Sequence, residues 1–524
     1  MPEPQSPACR WWQIFLPDRG GWFFCYLVFG MLFLRPKMLL WDGGSARHII
    51  NGVVMLQTHN IPRDNYDSWV YPDIDCMTRS WLADLISGWF YQNTHLIGVV
   101  VICSLLIALG LTWSYQMGRA RGFGLISGLL MLILVMGTVG MHWCARSHIY
   151  SYLPFLLLYY ALFMAPAGWW RFGLSTVTMC FWTNAHGSFA IGMGMIGVKI
   201  VGDIFALYRR NAGALVEFKS DVISLIGAFL ASCINPRGFA LYTAVFGYLT
   251  NPNVVHKTDE WRSFDITAGL GSWCFLLLLA VVISLVAKTR KVPSLGEALL
   301  FSGLVLGGFD SMRLIPYCAL MAMPFAGPAW QALRRQIEQK SDGAADQNGP
   351  TLPENAKRPG WLPRLVQLEQ RAEPQEPSSL KMAVACLAGA LIIGVVAIVT
   401  PSCAVADFDE ERLPVDAVNY MQAHNITGHG FNYDNWGGYI YLKTHQRVFI
   451  DDWGDFLPPK FIDQYLQILL ARPGWEQAFK ERDFQWILAP NEAQLSQLMS
   501  TSPQWNVACK NKTAVLLVRK SNTP

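Results

Sequence analysis

Charge is what this sequence is short of. Only 15% of its 524 residues are Asp, Glu, Lys or Arg, against about 25% in an average soluble domain. With 52% hydrophobic residues gathered in repeated apolar runs, that deficit excludes an ordinary soluble domain and points to the membrane class. No dense Lys/Arg stripe is present and the net charge of +4 is small for the length, so nucleic acid is excluded as a partner. No CxxC or Cys/His spacing of a zinc site occurs. The twelve cysteines are scattered, and Cys25, Cys103, Cys180, Cys274, Cys318 and Cys386 fall in apolar runs, where cysteine behaves as a small hydrophobe. Cys403 and Cys509 share the last segment, where an oxidising compartment would let them pair. The first apolar run lacks a small-residue cleavage site and reads as a retained helix. There is no internal repeat.

What is present is a series of apolar runs. The first covers about 21–40. Others lie near 94–115, 123–141, 150–167, 172–185, 188–207, 222–234, 271–287, 298–309, 314–333 and 382–400, about eleven in all. The piece 238–249 is too short to span and reads as re-entrant or interfacial. Arg119 and Arg121, Arg171, Arg209 and Arg210, Lys288 to Lys291, and Arg334 with Arg335 fall on alternate loops. Placing those loops inside puts the N-terminus in the cytoplasm and the C-terminus outside. The expected architecture is a polytopic α-helical membrane domain, 1–400, followed by an extracytoplasmic domain, 401–524. Within the first, 41–92 is the first extracytoplasmic loop. The stretch 336–380, rich in Pro, Gln, Ala and charge, is a cytoplasmic linker. After 401, helical patches at 415–423, 460–471 and 492–499 alternate with strand-like patches at 430–433, 448–450, 486–488, 506–509 and 515–518, which argues a small α/β domain.

That topology sorts the unusual polar residues onto one side. Asp42 follows the first helix. Arg146 and His148 lie between the third and fourth, and Asn184 and His186 between the fifth and sixth. Glu260 precedes the eighth, and Asp310 and Arg313 join the ninth and tenth. Singly, each suits a helix cap or a headgroup contact. Together they fit one water-facing cavity. There Asp42 and Glu260 can hold a divalent cation, Mg²⁺ or Mn²⁺, through hard oxygens. Arg146 and Arg313, with His148 and His186, can clamp a phosphate. In the last domain the run 431–456 carries Trp436, Gly437, Gly438 and Tyr439, followed by Asp451 and Asp452. It reads either as a glycine turn with Trp436 and Tyr439 in the core, or as a rim on which Trp436, Gly437 and Tyr439 contact an acceptor.

This layout resembles the C-type (GT-C) integral-membrane glycosyltransferases, which include oligosaccharyltransferase catalytic subunits, protein O-mannosyltransferases and lipid A aminoarabinose transferases. Asp42 and the loop to Gln92 match the family's acid and amphipathic first loop. The segments 58–69 and 80–91 also resemble a bacterial membrane-protein group of this class. The turn 432–439 is similar to the acceptor-binding WWDYG motif, with Trp436, Gly438 and Tyr439 fitting and the acid, Asp434, ahead of the tryptophan. The segment 258–261 resembles the family's external-loop Glu, and Arg313 its external Arg near a late helix. The third inter-helix loop offers Arg146 and His148 where oligosaccharyltransferases carry a second acidic pair.

The resemblance implies a glycosyltransferase of the bacterial cell membrane. It would move a sugar from a polyprenyl-phosphate-linked donor to an extracytoplasmic glycan, lipid or protein, with Asp42 and Glu260 catalytic. Two other classes stay open. A transporter or flippase of an anionic lipid would need polar residues at mid-bilayer. A non-catalytic assembly subunit would keep the fold and lose the chemistry.

Overall fold

The structure is a computed structural model, and it describes residues 19–34, 36–249, 262–348, 360–372, 379–400 and 406–520. The expectations placed on Glu260 and its neighbours and on Cys403 lie outside the described residues.

The apolar runs fold as helices. The first does not run unbroken to Asp42: α1 (Arg19–Phe29) passes into a π turn (Gly30–Leu34) and a 3-10 turn (Pro36–Leu39). Pro36 has no N–H to continue an α-helical ladder, which suits a break at this point. Then follow α2 (Gly43–Thr58), α3 (Trp81–Ala120), α4 (Leu125–Val139), α5 (Tyr152–Phe163), α6 (Trp169–Ala185), α7 (Phe189–Tyr208), α8 (Ala214–Ser232) and α9 (Ala240–Leu249). After them come α10 (Leu270–Thr289), α11 (Leu295–Asp310), α12 (Ile315–Asn348), α13 (Trp361–Ala372) and α14 (Ser379–Val399). Among the described residues, four helices are long and apolar enough to cross a membrane: α3, the 125–142 stretch that begins with α4, α7 and α10.

The stretch expected to be an unstructured linker holds helix at both ends, because α12 continues to Asn348 and α13 forms within it. The amphipathic α13 docks through Glu369, fully buried, whose Oε1 accepts the Ser127 N–H at 2.6 Å. That carboxylate meets the N-terminus of α4, where unpaired N–H groups and the helix dipole favour an anion.

Buried charge inside the bundle is the largest departure from the sequence reading. Lys199 on α7 meets Asp203 (2.6 Å) and Asp221 (2.7 Å), and Arg171 on α6 meets Glu217 (2.6 Å) and Asp221 (3.0 Å). A single Lys and Asp at i,i+4 hardly alter the mean hydropathy of a run, so the pattern does not betray the network. Lys199 lies ten residues below the start of α7, about 15 Å along the axis at 1.5 Å per residue.

The last domain builds a four-stranded sheet from β1 (Gly430–Asn432), β2 (Trp486–Pro490), β3 (Trp505–Lys510) and β4 (Ala514–Arg519), in the order β1-β2-β4-β3. β1 and β2 are parallel, and β4 runs antiparallel to both β2 and β3. The connection from β1 to β2 carries α16 (Gly437–Thr444), α17 (Pro459–Leu469) and α18 (Trp475–Lys480). α15 (Val415–Ala423) precedes the sheet, and α19 (Gln494–Ser500) follows β2. Two expectations fail locally. The residues read as a turn at 436–439 begin α16, with Gly437 in the right-handed helical region (φ −55). The apolar run 448–450 joins no strand of the sheet; Val448 instead pairs with Ser68 of the first loop.

That pairing welds the loop to the domain. Val448 N–H donates to Asp67 O (2.7 Å) and Trp69 N–H to Val448 O (3.1 Å). The Trp69 ring stacks on His429 at 4.3 Å. Two glycine contacts set the remaining geometry. Gly52 of α2 and Gly88 of α3 touch backbone to backbone, so a methyl on either would collide with the other helix. Gly43 sits against the Asn435 carbonyl, and Gly438 against the Gly43 carbonyl. α2 is thus pressed between α3 and the C-terminal domain.

Candidate functional site

Asp42 caps α2. Its backbone is extended (φ −118, ψ 131) and its Oδ1 accepts the Gly44 N–H at 3.3 Å. The other oxygen accepts from Arg146 Nη1 at 2.8 Å. Arg146 reaches on with Nη2 to Asp452 Oδ2, 2.9 Å away in the C-terminal domain. One guanidinium therefore lies between two nearly buried carboxylates contributed by separate parts of the chain.

Behind it, Arg47 is completely buried and pairs with Asp67 of the loop and, through Nε at 3.1 Å, with Asp451 of the C-terminal domain. Its guanidinium is sandwiched by the rings of Tyr66 (5.0 Å) and Trp453 (4.5 Å). Next to it on α2, His48 Nδ1 donates to Asp84 Oδ1 at 2.6 Å.

The histidines of the site sit at helix junctions. His148 is buried and its Nε2 donates to the His142 carbonyl at 2.7 Å. Its ring centroid is 6.4 Å from that of His186. His186 Nδ1 accepts the Ser188 N–H at 3.2 Å and faces the Ser188 hydroxyl at 2.7 Å. Ser188 continues through the Tyr317 hydroxyl (2.8 Å) to Ser151 (2.6 Å). Burial pulls the His186 imidazole down to about 3, helped by Arg313, His48 and Arg146. Burial likewise holds His148 well below its ordinary value. Both are neutral imidazoles at neutral pH, and the two arginines acting on His186, Arg146 and Arg313, come from separate chain segments.

The sequence-level candidates thus divide. Asp42 and Arg146 are in direct contact, His148 adjoins His186, and Arg313 acts electrostatically on His186. Glu260 lies outside the described residues. Trp436, Gly437 and Tyr439 are turned inward. Trp436 is 2% exposed, with Nε1 donating to Arg412 O at 3.0 Å. Tyr439 is fully buried, edge-on to Phe408 at 5.0 Å. Gly437 packs against the Ile450 carbonyl. The burial of Trp436 and Tyr439 at a helix start is what the core reading of that motif expects. Arg47, His48, Asp67 and Asp84 escaped the sequence reading, and Asp451 and Asp452 were seen only as acids ending an apolar run. The available signal was the Gly-Gly-Ser-Ala-Arg-His that follows the capping Asp42, with polar side chains one turn beyond two glycines.

Among the described residues no three His, Cys, Asp or Glu side chains converge as a metal site. Between Asp42 and Asp452, Arg146 itself stands where a bridging cation would.

Titration acts on this assembly with two signs. An unfolded imidazole titrates near ~6.5, so His186 binds fewer protons folded than unfolded between there and about 3. Its contribution to stability is present above ~6.5 and is lost as pH falls through that window. Burial raises Asp452, assisted by Asp42, and Asp451 is raised by burial and Asp67. Their contributions are complete below the unfolded carboxylate value near ~4 and are lost as pH rises through the folded values. Melting temperature in detergent should therefore fall on acidification below about pH 6.5, and His186→Gln should flatten that limb while Asp452→Asn leaves it in place. An acid limb unchanged by His186→Gln would reject the assignment.

No family model and no curated protein matches the sequence. Solved structures do. Archaeal oligosaccharyltransferase AglB from Archaeoglobus fulgidus, in complex with an inhibitory peptide and a dolichol-phosphate, superposes with a TM-score of 0.53 at 11% identity, covering 92% of this chain and 70% of that one. ArnT from Cupriavidus metallidurans in the apo state gives 0.50 at 13% identity over 95% and 97%. The same enzyme bound to undecaprenyl phosphate gives 0.49 at 12% over 96% and 99%. At these identities the likeness is one of fold: the chain shares the fold of AglB and ArnT, and four of its described helices are long and apolar enough to cross a membrane.

Proposed function

We propose that this protein is a glycosyltransferase that takes a sugar from a polyprenyl-phosphate-linked donor at the extracytoplasmic membrane surface. The observation that carries the reading is the convergence of Arg146, held between Asp42 and Asp452, with neutral His186 and nearby Arg313, where the first loop meets the C-terminal domain. In the shared fold, AglB holds a dolichol-phosphate and a peptide. The expected topology of about eleven spans, with the N-terminus inside, puts this junction at the headgroup level.

In this reading Arg146 and Arg313 take the donor phosphate and neutralise the charge that builds up as the glycosidic bond breaks. His148 and His186, neutral and fixed, shape the cavity wall. Asp42 aims Arg146 through Oδ2 and caps α2 through Oδ1, which is the part of a positioning carboxylate. Glu260, from the turn before α10, is retained as a second acid of the site. The acceptor, whether glycan, lipid or protein, enters from the loop side, away from Trp436 and Tyr439. The charge network of α6, α7 and α8 is paired within itself, which argues for bundle assembly and against a transport path.

The test uses the full-length chain in lipid nanodiscs with a panel of undecaprenyl-phosphate-linked monosaccharides, and reads the free undecaprenyl phosphate released. Release from at least one donor is expected. Release from none would overturn the transferase reading.

A further inference from the structure

We infer that His48 takes the acceptor's proton and that Asp84 is its positioning carboxylate; this rests on the transferase reading above. α2 places the imidazole. Residues four apart share a helix face, and Gly44, one turn before His48, faces the Asp452 carboxylate and the Arg146 guanidinium so closely that a side chain there would collide with both. His48 therefore lies on the face turned toward the proposed phosphate site. It lies within electrostatic reach of both Asp452 and His186.

Asp84 fixes the tautomer. It is fully buried, and each of its oxygens takes two donors. Oδ1 accepts from His48 Nδ1 (2.6 Å) and Ser80 Oγ (3.0 Å), and Oδ2 from Thr78 Oγ1 (2.8 Å) and Asn51 Nδ2 (3.2 Å). A carboxylate so surrounded only accepts, so Nδ1 carries the proton and Nε2 presents a lone pair. Among the described residues Nε2 has a long contact, 3.4 Å to the hydroxyl of Ser147, the residue after Arg146. The groups around the imidazole are Asp84 from α3, Ser147 and Arg146 from the turn before α5, His186 from the end of α6, and Asp452 from the C-terminal domain. The basic nitrogen of the imidazole is thus held on the face of α2 turned toward a phosphate-binding arginine.

The step balances. The acceptor's oxygen or nitrogen forms its bond to the anomeric carbon. The bond from that carbon to the phosphate oxygen breaks, and its electron pair leaves with the polyprenyl phosphate. The acceptor's proton moves to His48 Nε2, the resulting imidazolium is stabilised by Asp84, and the proton then passes to water.

The assay is the nanodisc release reaction, with binding of undecaprenyl phosphate alone measured in parallel. His48→Gln is expected to lower kcat about 100-fold, with KM and undecaprenyl phosphate binding within threefold of the unaltered chain. The acid limb of the pH–rate profile should disappear. Added imidazole should restore part of the rate to His48→Ala. Asp84→Asn, which offers Nδ1 an amide, should lower kcat and move the acid limb. A His48→Gln rate within threefold of the unaltered chain would overturn the proposal. So would a loss of rate matched by a loss of undecaprenyl phosphate binding and not rescued by imidazole, which marks a structural tie between α2 and α3. If the unaltered chain releases nothing from any donor, the transferase reading fails and takes this proposal with it.

Discussion

Arg47→Met should loosen the C-terminal domain from the membrane bundle and cost about 3–5 kcal/mol, the penalty of breaking a buried ion pair by removing one partner. The side chain is wholly inaccessible and stands between Asp67 of the first loop and Asp451 of the C-terminal domain, with Tyr66 and Trp453 over its faces. Methionine fills most of the volume but leaves two buried carboxylates without a counter-charge. Arg47→Lys keeps the charge and loses the planar fork and the ring stacking, so an intermediate loss is expected. The triple change Arg47→Met, Asp67→Leu, Asp451→Leu should recover much of the stability, because a buried ionic group replaced whole by apolar side chains is often neutral. The measurements are the melting temperature in detergent and the rate of proteolysis between α14 and α15. An Arg47→Met protein that melts with the unaltered chain would show that this contact does not hold the two parts together.

The membrane class and the small α/β domain were legible in the sequence because both write themselves as long-range patterns. Apolar runs of helical length mark the bundle. Alternating short elements mark the domain, and helices and strands at 415–423, 486–490 and 514–519 fall close to where pattern placed them. Asp42 and Arg146 were also found, since a charge beside an apolar run stands out. What could not be read is what depends on contact between distant segments. Arg47 and His48 follow Asp42 inside a plain amphipathic helix, and their meaning comes only from Asp67, Asp84 and Asp451, brought in by the Gly52–Gly88 crossing and the Gly43–Gly438 docking. The glycines at 437–438 were read locally, as a turn serving either the core or an acceptor. Their use is tertiary, as a flat place for α2 to lie against. Lys199 and Asp203 vanish into a run whose average is apolar, and only the neighbouring Asp221 and Arg171 make them a network.

Arg146→Gln should reduce release of polyprenyl phosphate by about 100- to 1,000-fold, the range measured when one preorganised donor to a developing oxyanion is removed. The present geometry explains why the effect should fall on kcat. Arg146 is not a mobile surface cation: it is 15% exposed and held at both nitrogens by Asp42 (2.8 Å) and Asp452 (2.9 Å). Its orientation is fixed before substrate arrives, so little reorganisation remains at the transition state. Arg146→Lys retains the charge but can serve only as a point donor, and should keep more activity than Gln and less than Arg. Asp42→Asn separates aim from capping. Asparagine caps a helix about as well as aspartate, so α2 stays in place while the charge that orients Arg146 is gone. A loss of rate smaller than that of Arg146→Gln, with unchanged melting temperature, is expected. If Asp42→Asn instead costs as much as Arg146→Gln, Asp42 acts on the reacting atoms directly. If Arg146→Gln leaves the rate of release intact, the phosphate is held elsewhere in the cavity.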